Sequence, residues 1–337
     1  MKLLSIFFLV GLASSGICAI QRRYEQSSRT LRVKGDDDII KMIVMGDWGG
    51  LPFWPYYSPF EKVTANRIIT TSNEEKSQML FALGDNFYYN GVTDENDPRF
   101  QQTFESVFND AEFNKVPWFV LAGNHDHYGN VTGQIAYTKR SSRWVFPDLW
   151  YTIEVEYPTV NVTFVMIDTV TLCGNTDHDK WGSQPDGKVV DHHVESQLQY
   201  IEEKLQNSRS HYLLVAGHFP VYSVAEHGPT QCLIDKLKPL LEKYNVNAYF
   251  SGHDHNLQHI RETNSTVNYF VSGAVDVVDP SKTHMDDIPD GSLQFHWANV
   301  LGLGGFATVD ADQSQMALKF YSAAGSGLYK YVMKPRK

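Results

Sequence analysis

Residues 42–50 read Met42-Ile43-Val44-Met45-Gly46-Asp47-Trp48-Gly49-Gly50: an apolar run, a glycine, then a carboxylate. A short, partly β-branched run closed by glycine has the character of a buried strand, so Asp47 falls at a strand's C-terminal end. The arrangement recurs four times. Met79-Leu80-Phe81-Ala82-Leu83 leads into Gly84-Asp85-Asn86-Phe87-Tyr88, and Phe119-Val120-Leu121-Ala122 into Gly123-Asn124-His125-Asp126. Leu213-Leu214-Val215-Ala216 leads into Gly217-His218, and Ala248-Tyr249-Phe250-Ser251 into Gly252-His253-Asp254-His255. In an open α/β sheet ligands bind outside the carboxyl ends of the strands, because the loops there can vary without disturbing the core.

Helical patterns separate these units, as an α/β architecture needs. Val194, Leu198, Ile201 and Leu205 recur at helical spacing, and so do Leu233, Leu237, Leu240, Leu241 and Tyr244; both stripes read as core faces. Further strand-like segments are Trp150 to Tyr157, Val162 to Asp168, Tyr269 to Ser272, Phe306 to Val309 and Met316 to Tyr321. The fold expected is two mixed β-sheets packed as a sandwich with flanking helices, in one domain over residues 39–337. Residues 174–191 and 279–290 lack any period and read as long loops.

The chain of 337 residues is 42% hydrophobic and 20% charged, enough for a large core. Leu3 to Leu12 is apolar behind Lys2 and is followed by Ala13-Ser14-Ser15-Gly16, the layout of a signal peptide over residues 1–19. The run is too short for a hydrocarbon core of roughly 30 Å, so no membrane anchor is expected. Residues 20–38, with Arg22, Arg23 and Asp36-Asp37-Asp38, read as a charged, solvated leader. Export takes Lys2 away and moves the net charge from −10 by one unit to −11. That balance excludes a nucleic-acid partner, whose phosphates it would repel. It leaves a phosphate substrate open, since a buried metal pair would dominate the local field. With Cys18 in the signal, Cys173 and Cys232 are an even pair in an oxidising compartment, where a disulfide is expected. The sequons at Asn130, Asn161 and Asn264 agree with a secretory route, to the exterior or the lysosome.

Oxygen donors suit hard cations and imidazole suits iron or zinc, so the mixed set fits a dinuclear centre. Asp85 can bridge two ions, with Asp47 a terminal carboxylate, Asn124 a carbonyl donor and His218, His253 and His255 the imidazoles. Each Gly-Asp or Gly-His alone is most often a turn; five in one order, all at strand ends, point to a two-metal hydrolase.

With these residues in view, the chain resembles the metallophosphoesterase superfamily, which implies a four-layer α/β/β/α fold. Most members carry Asp-x-His in the first motif. Here the third position is Gly49, and Tyr88, three residues after Asp85, fits as the replacement. A phenolate is a hard ligand favouring the ferric state, and it marks the purple acid phosphatases. The stretches 44–50, 84–88, 121–127 and Ala225-Glu226-His227-Gly228-Pro229-Thr230 resemble the small tartrate-resistant acid phosphatases of the mammalian type, a similarity running from about Lys41 onward. Cys173 and Cys232 match that family's disulfide pair, and Asn130 and Asn161 its glycosylated positions.

Position by position, the resemblance implies that Asp47, Tyr88 and His255 hold Fe(III), with Asp85 bridging. Asn124, His218 and His253 would hold the second ion, Fe(II), with Zn or Mn as alternatives. His227 would protonate the leaving group and His125 would stabilise charge on the transferring oxygens. The activity implied is acid hydrolysis of phosphate monoesters, small molecules or phosphoproteins, by in-line attack of a metal-held hydroxide, in a monomer. Two other readings stand beside it: a divalent-metal phosphoesterase of the calcineurin-like kind, and a non-catalytic secreted glycoprotein. The loop at 174–191 and Gly273-Ala274-Val275-Asp276 depart from the family's usual residues.

Overall fold

The computed structural model describes residues 24–27, 29–177, 180–299, 301 and 303–336; the expected signal peptide lies outside them. Among the described residues the strands form two sheets. The nine-stranded sheet has the order Tyr24–Ser27, Thr30–Lys34, Tyr151–Glu156, Asn161–Met166, Tyr212–Ala216, Ala248–Ser251, Asn268–Ser272, Leu257–Ile260 and Leu293–Trp297. The seven-stranded sheet has the order Gly327–Met333, Met316–Ser322, Gly305–Ala311, Ile40–Met45, Met79–Ala82, Trp118–Val120 and Trp144–Val145. Both are mixed. Asn161–Met166, Tyr212–Ala216, Ala248–Ser251 and Asn268–Ser272 run parallel, as do the last four strands of the smaller sheet.

All five apolar runs before the donor residues are buried strands, packed on both faces as parallel strands must be. Between the sheets, Phe81 of one stacks on Phe164 of the other with ring centroids 3.8 Å apart. A second core lies on the outer face of the larger sheet. There Val194, Ile201 and Leu205 of helix Asp191–Asn207, with Leu233, Leu237 and Leu241, cover Val165, Leu213, Val215 and Tyr249. The stripe from Leu233 to Tyr244 is two helices, Gln231–Lys236 and Lys238–Lys243. Pro239, with no N–H to donate, is placed in the first turn of the second rather than inside one continuous helix. Helix Pro59–Glu75 lies against the smaller sheet, where Tyr321 Oη donates to Glu75 at 2.9 Å. Its start is encoded by Ser58 and Glu61, which cap each other's backbone N–H groups. The four-layer α/β/β/α arrangement is the one expected.

The leader differs from its expectation. Thr30–Lys34 is a strand parallel to Tyr151–Glu156, with Leu31 and Val33 buried in the core and Arg32 pointing outward. Alternation of apolar and polar residues over 30–34 makes a half-buried strand in spite of the charges around it. The loop at 174–190 carries neither helix nor strand among its described residues, and 279–290 holds one short turn, Met285–Asp287.

Candidate metal centre

Asp47, Asp85 and His253 each sit just past a strand end with a left-handed backbone, φ being 59°, 49° and 70°. For residues other than glycine that conformation costs about 1–3 kcal/mol, and it persists where the surroundings enforce it. Here the enforcement is visible. Asp47 N donates to Gly84 O at 3.1 Å, and His253 N donates to both Asp47 oxygens at 3.1 and 2.9 Å. Two strands from different sheets are thereby tied together at one edge. Gly123 has no room for a side chain, because a Cβ would strike the Asp85 carboxylate.

The nine side chains expected at the site meet. Tyr88 Oη lies 3.0 Å from His255 Nε2 and 3.3 Å from Asp47 Oδ1, and His255 Nε2 is 3.6 Å from Asp47 Oδ1. His218 Nε2 lies 2.9 Å from Asn124 Oδ1 and 3.4 Å from Asp85 Oδ2. Asp85, His218 and His253 place donor atoms within 4.8 Å of one another. Donors sharing an ion at about 2.1 Å stand roughly 3.0–3.4 Å apart, so the Tyr88 and His218 contacts have the spacing of a coordination sphere, and the Asp85–His218–His253 group is wider. His218 Nδ1 is anchored on Leu83 O at 2.8 Å, which turns Nε2 toward the donors.

The electrostatics also call for cations. Burial raises the Asp47 carboxyl pKa, against the pull of His255 and His218. Burial pushes Asp85 up as well, but His218 and His125 outweigh it and hold its carboxyl well below the usual range. Burial opposes charge on His218, yet Asp85 and Asp47 carry its pKa to about 9, because two buried carboxylates favour positive charge beside them. The Tyr88 phenol, buried and beside Asp47 and Asp85, is raised well above its ordinary value and needs a strong cation to lose its proton.

Gly49 explains the missing imidazole. A Cβ there would lie 2.6 Å from Tyr88 N and 2.9 Å from Phe87 N, so no side chain fits at 49 against the main chain at 87–88. Arg99 holds the arrangement from outside, donating to Gly49 O at 2.6 Å and to Gly91 O at 3.2 Å.

Two histidines border the donors. His125 Nδ1 pairs with Tyr89 O at 2.7 Å, which leaves Nε2, 4.0 Å from Asp85 Oδ2, facing the site. His227 stacks on His253 with centroids 3.9 Å apart, and its backbone N donates to Asp254 Oδ1 at 3.0 Å. Burial lowers the His227 pKa, and Asp254 offsets that only in part.

Sequence reasoning gave no role to several supporting groups. Asp126, fully buried, accepts from Gly123 N at 2.8 Å and from Gln134 Nε2 at 2.8 Å, bracing the turn before Asn124. Asp168, at its own strand end, takes His127 Nε2 at 2.7 Å. Asp276 N donates to Asp47 O at 3.1 Å, and the Asp276 carboxylate accepts from Ser58. Position at a strand end was the available signal for Asp168; Asp276 carried none. Cys173 and Cys232 form a disulfide. Asn130 and Asn161 are half-exposed and Asn264 is exposed. No helix among the described residues is long and apolar enough to cross a membrane.

Comparison with known proteins agrees with this geometry. The calcineurin-like phosphoesterase family profile matches residues 40–257. The tartrate-resistant acid phosphatase type 5 of Homo sapiens is 46% identical over 298 residues, covering 88% of this chain and 91% of the relative. Purple acid phosphatase 17 of Arabidopsis thaliana is 28% identical over 335 residues, covering 98% and 92%. Among solved structures, GAP50, the anchor in the inner membrane complex of Plasmodium, shares the fold at a TM-score of 0.75 and 20% identity, over 89% of this chain and 90% of that one. Strand-end donors, the fold and these relatives agree: the chain belongs to the calcineurin-like phosphoesterase family and, within it, to the tartrate-resistant acid phosphatases.

Proposed function

We propose that this chain hydrolyses phosphate monoesters in acid at a dinuclear Fe(III)–M(II) centre, and that it acts in the secretory pathway, outside the cell or in the lysosome. The observation that carries the reading is the Tyr88 hydroxyl set between Asp47 and His255. Asp47, Tyr88 and His255 would hold the ferric ion, Asn124, His218 and His253 the divalent ion, with Asp85 shared. When bound, the metal pair supplies Lewis-acid charge for the phosphate oxygens and an acidified water as nucleophile.

The chain's own groups do the rest. Tyr89 O accepts from His125 Nδ1 and so points Nε2 at the site, where an Nε2–H of the imidazolium form can donate to a phosphate oxygen. His227, held flat against His253, is positioned to protonate the departing alkoxide. Its lowered pKa makes the protonated form an acid-range species, which agrees with an acid phosphatase. The small-phosphomonoester and phosphoprotein substrate classes follow from a site that grips charge rather than shape. The disulfide and the surface positions of Asn130, Asn161 and Asn264 support passage through the secretory route with glycans attached.

Assay of metal-loaded protein on 4-nitrophenyl phosphate across pH tests the proposal. Turnover with an optimum below neutral is expected; absence of turnover at every pH, with both ions bound, would overturn it.

A further inference from the structure

A cleft of about 940 Å³ opens at the edge of the nine-stranded sheet opposite the metal centre. His211, Asn247 and Asn268, at the starts of three parallel strands, form its floor, whereas His218 and His253 follow the far ends of two of those strands. A strand of five residues spans about 17 Å, so the two sites lie on opposite rims of one sheet.

The charged lining of the cleft is Arg209, Lys243, Arg261, Lys334 and Arg336, with no aspartate or glutamate. On a chain of net charge −10 this is a local reversal of sign. Lys243 is engaged by Glu202 at 2.7 Å. The three arginines instead meet neutral oxygens. Arg209 Nη1 donates to Gln206 O and Ser208 O at 2.9 and 3.2 Å, and Arg261 Nε to Ser265 O at 3.2 Å. Arg336 Nη2 donates to Ser208 O and Ser210 O at 3.1 Å each, while its buried Nε has no hydrogen-bond partner. Burial and the nearby Arg209 charge both lower the Arg336 pKa, and among the described residues no aspartate or glutamate lines the cleft beside the two guanidinium groups.

Guanidinium forks fit the oxygens of phosphate and sulfate groups. The volume falls in the range of small-molecule sites, about 300–1,000 Å³, and exceeds what one tetrahedral anion fills. We infer that this cleft binds a small organic polyanion carrying two or more phosphate or sulfate groups, clamped by Arg209, Arg261, Lys334 and Arg336. The inference stands apart from the phosphatase reading, since none of these residues belongs to the metal centre.

Calorimetric titration of the metal-loaded protein with inositol hexasulfate and, separately, inositol hexakisphosphate tests it and distinguishes the two chemistries. At least one probe should bind, with affinity falling as salt rises. An Arg209→Glu/Arg261→Glu double variant should weaken that binding tenfold or more, with phosphatase turnover unchanged. The exposed Lys334→Glu variant gives the same test, several-fold weaker binding, if the double variant does not fold. Neither probe binding, or binding undiminished in Lys334→Glu or in a folded double variant, would overturn the inference.

Discussion

Gly49 and Tyr88 are one feature read at two positions. The phenol occupies the space beside Asp47 and His255, and the Tyr88 backbone occupies the space a side chain at 49 would need. The backbone path thus leaves no room for an imidazole at 49, and the group that stands beside Asp47 and His255 is the phenol of Tyr88. His227 carries a second residue-level claim. Its ring stacks on His253, its backbone meets Asp254 and Gln184, and its Nδ1 is buried without a hydrogen-bond partner. His227→Asn is predicted to lower kcat/KM by about 10²–10⁴ while both ions stay bound. Because burial depresses the His227 pKa, its acid form is lost as pH rises through that value, and the wild-type decline on the alkaline side should flatten in the variant. Steady-state profiles with metal analysis decide this; a variant of full activity would remove His227 from the reaction.

Among elements, the pair Asp168–His127 joins the strand Asn161–Met166 to the turn that carries Asn124 and His125. Burial opposes the Asp168 charge but His127 outweighs it and lowers the Asp168 pKa; Asp168 in turn overcomes burial to raise that of His127. The Asp168 contribution to stability is present above its ordinary pKa of about 3.9 and is lost as pH falls through the lowered value. The His127 contribution is full below its ordinary value of about 6.5 and is lost as pH rises through the raised one. Asp168→Asn is thus predicted to cost about 3 kcal/mol near pH 5 and less near pH 8, measured by denaturant midpoints at both; an equal loss at both would contradict the pairing. The five strand-end units were legible because each joins a buried apolar run, a glycine and a donor in consecutive residues. What stayed hidden depended on distant partners. Thr30–Lys34 is a short alternation among charges whose pairing with Tyr151–Glu156 lies far along the chain, and Gly327–Met333, half-exposed at an edge, pairs with Met316–Ser322. Asp276 reaches Asp47 across 228 intervening positions of chain that no local pattern spans.

Across the whole molecule, the two sheets bring their strand ends to a common rim, where buried carboxylates of the smaller sheet meet imidazoles of the larger. The carboxylates there favour positive charge, and they raise the His218 pKa in spite of its burial. Metal removal by chelation should lower stability by about 3 kcal/mol per ion where the ions are present at a hundredfold over their Kd, read as a fall in Tm that added metal reverses. An unchanged Tm after verified removal would contradict that coupling. The central claim, that Tyr88 makes the site ferric, is tested most directly by the visible absorption spectrum of metal-loaded wild type and of Tyr88→Phe. A purple phenolate-to-iron charge-transfer band in the wild type, absent from a Tyr88→Phe protein that retains its iron, is the predicted result. A colourless, metal-replete wild type, or a band that survives the substitution, would contradict it.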